Sequence, residues 1–322
     1  MGKTSLFLVT GGAGFIGSNL CETLLASGYR VRCLDNLSAG KLENIDHLMN
    51  HEKFEWMEGT ITDYQQCLSA CYDVDYVLHQ AALGSVPRSM KYPLIYEETN
   101  VKGMLNMLEA SVQCKVKKFV YASSSSVYGD SQELPKIEGN EGNVLSPYAL
   151  TKKMNEQYAK LYNDLYGLET VGLRYFNVFG MRQDPSGEYA AVIPKFIEKI
   201  LHFEQPLING DGTQSRDFTY VKNVVSANIR AAFSTPKTNG KAYNIGCGSR
   251  ITLNELAREL CKALGREEIR PVYGPDRAGD IKHSHAEIKK ATNDFNYQPD
   301  YSFSEGIEET IAWYSNNRST ID

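Results

Sequence analysis

Short apolar runs alternate with amphipathic stretches through the first half of the chain. The runs are Leu6–Thr10, Arg30–Leu34, Phe54–Met57, Tyr76–His79, Phe119–Ala122 and Thr170–Leu173. Helix-like segments lie between them, near residues 15–27, 63–71, 93–113 and 147–166. Strands that alternate with helices of this length predict βαβ units on a parallel sheet. Continuously apolar strands suit a sheet covered on both faces. After about residue 175 the rhythm changes and prolines become frequent. The pattern therefore predicts an α/β fold, a Rossmann-like doubly wound sheet with a smaller mixed α/β lobe. Residues 1–175 form the first unit and 176–322 mainly the second, with a diffuse boundary and some segments returning to the first.

The chain has 322 residues, 42% hydrophobic and 23% charged, which fits a globular protein and argues against disorder. Its net charge of −5 advertises no nucleic-acid partner. No apolar run approaches the ~18 residues of a membrane helix, and Leu6–Val9 is too short for a signal-peptide core. Seven scattered cysteines fit reduced thiols in a cytoplasm better than a disulfide scaffold. Cys67 and Cys71, and His47 and His51, share helical spacing but lack further ligands, so no metal is expected.

Gly11, Gly14 and Gly17 follow the first strand and open a helix. Gly11 makes the tight turn, Gly14 admits a pyrophosphate to the backbone, and Gly17 lets helix pack on strand. The helix N-terminus then offers free N–H groups to an anion. Asp35 ends the second strand, 18 residues past Gly17. A carboxylate there accepts ribose hydroxyls and repels a 2′-phosphate, which favours NAD over NADP. Tyr148 and Lys152 stand at i, i+4 and share one helix face. An ammonium beside the phenol is expected to lower the tyrosine pKa from about 10, poising Tyr148 as a general base. The run Ser123–Ser126 ends a strand at the carboxyl edge of the sheet, where ligands bind.

Together these residues resemble the extended short-chain dehydrogenase/reductase family over nearly the whole chain. Within it the sequence is similar to sugar-nucleotide 4-epimerases, in particular the bacterial UDP-N-acetylglucosamine 4-epimerases that prefer acetylated sugars. His79–Ser89, Arg174–Gly180, Ala190–Lys195, Asn209–Gly212 and Ser215–Phe218 carry that match. The resemblance implies reversible C4 epimerisation of UDP-N-acetylglucosamine through a 4-keto sugar, with NAD retained. UDP-glucose and UDP-uronic acid remain alternative substrates. It assigns Ser124, Tyr148 and Lys152 to catalysis, with the neighbouring serines as alternatives to Ser124. Around NAD it places Gly11, Gly14, Phe15, Ile16, Gly17, Asp35, Asn36, Ser38, Gly40, Thr60, Ile61, Ala81, Ala82 and Tyr175. Around the UDP-sugar it places Gly84, Ser85, Ser125, Ser126, Asn177, Ala191, Val192, Asn209, Arg216, Arg277 and Asp280.

Ser284 falls where hexose-only epimerases carry a bulky tyrosine, which leaves room for an N-acetyl group. No Asp or Glu occurs between Ser123 and Gly129, so elimination chemistry lacks a catalyst. Thr60 departs from the aspartate common in the family. Relatives pair helices 93–113 and 147–166 into a homodimer; Met104, Leu108, Tyr158 and Tyr162 form a candidate stripe, which equally suits core.

Overall fold

The computed structural model describes residues 4–186, 190–276 and 282–317. Seven parallel strands form one sheet: β1 (Leu6–Thr10), β2 (Arg30–Asp35), β3 (Phe54–Glu58), β4 (Tyr76–His79), β5 (Lys118–Ser124), β6 (Glu169–Tyr175) and β7 (Lys241–Ile245). Their order is β7-β6-β5-β4-β1-β2-β3. The order reverses direction between β1 and β4, the switch point where doubly wound sheets bind ligands.

The period of two along a strand explains the two cores. Phe7 and Val9 of β1 enter one apolar cluster, and Leu6 and Leu8 enter another on the opposite face. The first is covered by α1 (Phe15–Ala26) and the helix Val221–Ala232. The second is covered by α2 (Tyr64–Cys71), α3 (Gly103–Gln113) and α4 (Pro147–Tyr166). Cys67 and Cys71 lie buried there, and burial raises each thiol to about 12. Met104 and Leu108 are fully buried in the same cluster, with Tyr158 and Tyr162 packed against it. Met104 and Leu108 of that stripe are therefore core, while Tyr158 and Tyr162 stay partly exposed.

The six strands of the first half stand where the apolar runs place them, within about two residues at each end. The seventh comes from the second half. Lys241–Ile245 pairs with β6 in register, Tyr243 opposite Leu173. The helix Val221–Ala232 also returns to pack on the sheet. The remainder of the second half gathers Ile193, Phe196, Ile197, Phe218, Leu256 and Leu260 into a separate core beside short two-stranded ladders. Two of its helices start at capping boxes, Thr252–Glu255 and Ser302–Glu305. Among the described residues no helix is long and apolar enough to cross a membrane.

Candidate functional site

The chain leaves β1 into a turn that only glycine fits. Gly11 has φ +67°, and its N–H donates to Leu34 O at 2.8 Å. A Cβ on Gly17 would sit 2.0 Å from Gly11 O, so α1 can approach the turn only without one. Gly14 stands at the N-cap with no side-chain cap, which leaves the first N–H groups of α1 open to an anion. At the end of β2, Asp35 accepts from Ala13 N at 3.0 Å and Leu37 N at 2.8 Å. Burial pushes its carboxyl upward, and the amides of Leu37, Ala13 and Asn36 pull it back.

A cavity of about 670 Å³ runs from this end of the sheet to Tyr148 and Lys152. It is lined by Gly11, Gly14, Phe15, Ile16, Gly17, Asp35, Asn36, Ser38, Gly40, Thr60, Ile61, Ala81, Ala82, Tyr148, Lys152 and Tyr175. The fold thus collects in one space every residue expected around a dinucleotide. The glycine cradle, the open helix N-terminus and the ribose-side carboxylate are the donor set that a dinucleotide requires. Gln80, Leu83 and Thr99 also line it. Sequence reasoning missed them, although Gln80 directly follows β4 at the ligand edge. It also missed Asn100, which lies in a π-helical turn, Glu97–Lys102. Asn100 clamps Leu83 through both its N–H (2.8 Å) and its C=O (3.0 Å), and reaches Thr151 of α4 at 3.2 Å.

The helix α4, which carries Tyr148 and Lys152, begins at Ser146, whose Oγ caps Ala149 N, followed by Pro147 at the first turn. The free Tyr148 N–H donates to buried Ser89 at 3.1 Å. Lys152 Nζ lies 5.9 Å from the Tyr148 ring centre and donates to Ala122 O at 2.7 Å. Burial lowers Lys152 to about 8, against the pull of Glu156.

The expectation of a depressed tyrosine pKa is corrected. Burial raises the Tyr148 phenol, and its offsetting partner is the Ser124 hydroxyl. Desolvation of the phenol outweighs what the Ser124 hydroxyl returns. The structure also separates the serines. The Ser124 hydroxyl lowers the Tyr148 phenol and accepts from Ser126 N at 3.1 Å, Ser123 lines the larger cavity and its Oγ donates to Glu156 Oε1 at 2.6 Å, and the Ser126 hydroxyl is buried with no hydrogen-bond partner among the described residues. Ser125 opens the short helical turn that follows.

A second cavity of about 250 Å³ contains Asn177, Ala191, Val192, Asn209 and Arg216. Gln214, Leu207, Phe218 and Leu253 complete it and were missed. Asn177 Nδ2 donates to Asp217 O at 3.1 Å. Arg216 Nη1 donates to Ser215 O at 3.0 Å and Lys282 O at 3.2 Å. Ser284 is half-buried, its N–H donating to Ser215 O at 3.0 Å, on the segment whose Lys282 O accepts from Arg216; it is not among the residues lining either cavity. Gly84 lines the larger cavity, and Ser85 caps the helix Val86–Lys91. Arg277 and Asp280 lie outside the described residues.

Comparison with known proteins follows this geometry. The model of the NAD dependent epimerase/dehydratase family matches residues 7–246. A putative UDP-glucose 4-epimerase of Methanocaldococcus jannaschii is 40% identical over 98% of this chain and 100% of its own. A UDP-N-acetylglucosamine 4-epimerase of Methanobrevibacter ruminantium, solved with UDP-N-acetylmuramic acid, superposes with a TM-score of 0.92 at 41% identity, over 98% of this chain and 99% of that one. A UDP-glucose 4-epimerase of Thermus thermophilus, solved with NAD, gives 0.86 at 35% identity, over 97% and 99%.

Proposed function

Because the chain belongs to the NAD dependent epimerase/dehydratase family, we propose that it is a UDP-sugar 4-epimerase whose preferred substrate pair is UDP-N-acetylglucosamine and UDP-N-acetylgalactosamine. UDP-sugar 4-epimerisation is the activity named for the relatives reported above. The acetylated substrate is the finer reading. The observation that carries it is Ser284, a small, half-buried side chain on the segment hydrogen-bonded to Ser215 and adjacent to Arg216. A short side chain there leaves volume beside the sugar, and the M. ruminantium enzyme supports the same choice.

When bound, NAD supplies the acceptor for the C4 hydride and gives it back, so no net oxidation results. The chain does the rest. Arg216 and Asn177 hold the diphosphate, Arg216 through a planar fork suited to phosphate oxygens. Ser124 donates to the 4-oxygen, and the buried Ser126 hydroxyl is available to a second sugar oxygen. Tyr148 takes the 4-hydroxyl proton and later returns it. Its phenol is held up by burial, which the Ser124 hydroxyl offsets in part, so proton removal depends on the Lys152 ammonium and on Ser124.

Proton NMR of purified protein with UDP-N-acetylglucosamine and no added NAD tests the reading. Appearance of UDP-N-acetylgalactosamine supports it. Conversion of UDP-glucose or a UDP-uronic acid alone moves the assignment to those substrates. Ser284→Tyr should abolish turnover of the acetylated sugar while sparing UDP-glucose; surviving acetyl-sugar turnover refutes the steric argument.

A further inference from the structure

Glu156 has no place in the proton transfer described above, yet it stands one turn beyond Lys152 and two beyond Tyr148. The three side chains therefore share one face of α4. Opposite them lie three consecutive residues at the end of β5. Lys152 Nζ donates to Ala122 O at 2.7 Å and Ser123 Oγ donates to Glu156 Oε1 at 2.6 Å, while the Ser124 hydroxyl acts on the Tyr148 phenol and lowers it. Two rungs fasten strand end to helix, and the Glu156 rung is the anchored one. Its carboxylate takes the Arg174 fork of β6, Nε at 2.9 Å and Nη2 at 2.8 Å. Arg174 also donates to Tyr128 Oη at 3.0 Å and pairs with Glu141.

We propose that Glu156 is a positioning residue for the reaction: it locks the helix bearing Tyr148 and Lys152 onto the strand end bearing Ser124, with its carboxylate one helical turn from the Lys152 ammonium.

The surroundings leave this task to Glu156. From β4, His79 faces Lys152 and is kept uncharged, its imidazole lowered to about 3 by burial and by Lys152 itself. From β5, burial holds the Tyr121 phenol far above its ordinary range, and from α4 burial raises Tyr148. From β6, Arg174 is a cation, matched by Glu156 and by Glu141 of the preceding loop. Glu156 is the charge that opposes the desolvation of Lys152. Because Glu141 stays with Arg174, removing the Glu156 charge does not orphan the guanidinium.

This inference rests on the epimerase reading for its kinetic half only. The test uses full-length Glu156→Gln with its bound cofactor. In protein labelled with 13C-lysine, the Lys152 Cε resonance, assigned through Lys152→Met, should titrate near 8 in the unsubstituted protein and about one unit lower in E156Q. Correspondingly, kcat should fall about tenfold at about pH 8.5 and less than about twofold at about pH 6.5, with KM unchanged. Ser123→Ala keeps the charge and loses a rung, so kcat should drop about threefold at every pH with the titration unmoved. Glu156→Asp keeps the charge with a shorter reach and should behave like S123A, which serves if E156Q does not fold. An E156Q titration and pH profile matching the unsubstituted protein, or full activity of both S123A and E156D, overturns the proposal. If the unsubstituted protein turns over no UDP-sugar, the functional reading fails, and the Lys152 titration still decides the electrostatic claim.

Discussion

At the scale of single residues, the site is organised by what burial does to charge. Tyr148 is a phenol that the fold makes harder to ionise, and Lys152 is an ammonium that the fold makes easier to neutralise. Such a base works only where compensating positive charge is brought to it. Tyr148→Phe removes the proton acceptor and leaves the cavity intact, so kcat should fall about a thousandfold while purified protein keeps its NAD content. Ser124→Ala removes the hydroxyl that lowers that phenol and should cost roughly tenfold in kcat, more than Ser123→Ala. Steady-state kinetics on the three variants checks the order, and equal losses at the two serines would remove the special place of Ser124. The residue types and spacings on α4 were legible in the sequence. The resemblance pointed to Ser124 with its neighbours as alternatives, and the sequence could not separate them, because four identical side chains in a row differ only in where the strand end points them.

At the scale of elements, the turn between β1 and α1 and the clamp between α4 and the sheet do the positioning. Gly17→Ala forces a Cβ within 2.0 Å of the Gly11 carbonyl. Either α1 shifts or the turn opens, so NAD content after purification should fall sharply, measured by absorbance of the released cofactor. Unchanged NAD content would mean that the turn yields at little cost. The Arg174 clamp has a predictable acid response. Burial raises Glu141, but the Gly139 amide and Arg174 outweigh it and bring the carboxyl to about 2. The folded value lies below the unfolded one, so this contribution is present above about pH 4.5 and disappears as pH falls toward about 2. Glu141→Gln should therefore lose about 2 kcal/mol at neutral pH, and the gap in thermal midpoint between it and the unsubstituted protein should close on acidification. A gap constant with pH would remove the ion pair from the explanation. Helix and strand limits followed from periodicity. The π turn at Glu97–Lys102 did not, since nothing in local spacing marks the extra residue that seats Asn100 against Leu83.

At the scale of the whole molecule, the buried stripe on α3 and α4 turns attention to what remains outside. Leu94 is 82% exposed, Leu165 64% and Tyr166 57%, all on or next to the same helices. A second copy of the chain covering that face is the partner we propose. Sedimentation velocity should then report twice the 36.1 kDa chain mass, and Leu94→Glu with Leu165→Glu should report the single chain. A monomer at micromolar concentration would leave those side chains solvent-exposed by design of the fold.

The chain's own order of residues was enough to establish the six first-half strands, the glycine turn, Asp35 and the Tyr148–Lys152 pair, because each is a local pattern repeated within a few residues. It could not reveal that Lys241–Ile245 completes the sheet. That strand is short, with a lysine and an asparagine in its five residues, and it becomes a strand through pairing with β6 some seventy residues earlier. Nor could it settle the electrostatics of the site. Adjacent charges suggested a lowered tyrosine pKa, whereas the packing around Tyr148 raises it. Spacing along a helix says which groups meet, and burial, which depends on everything packed around them, sets the balance between attraction and desolvation.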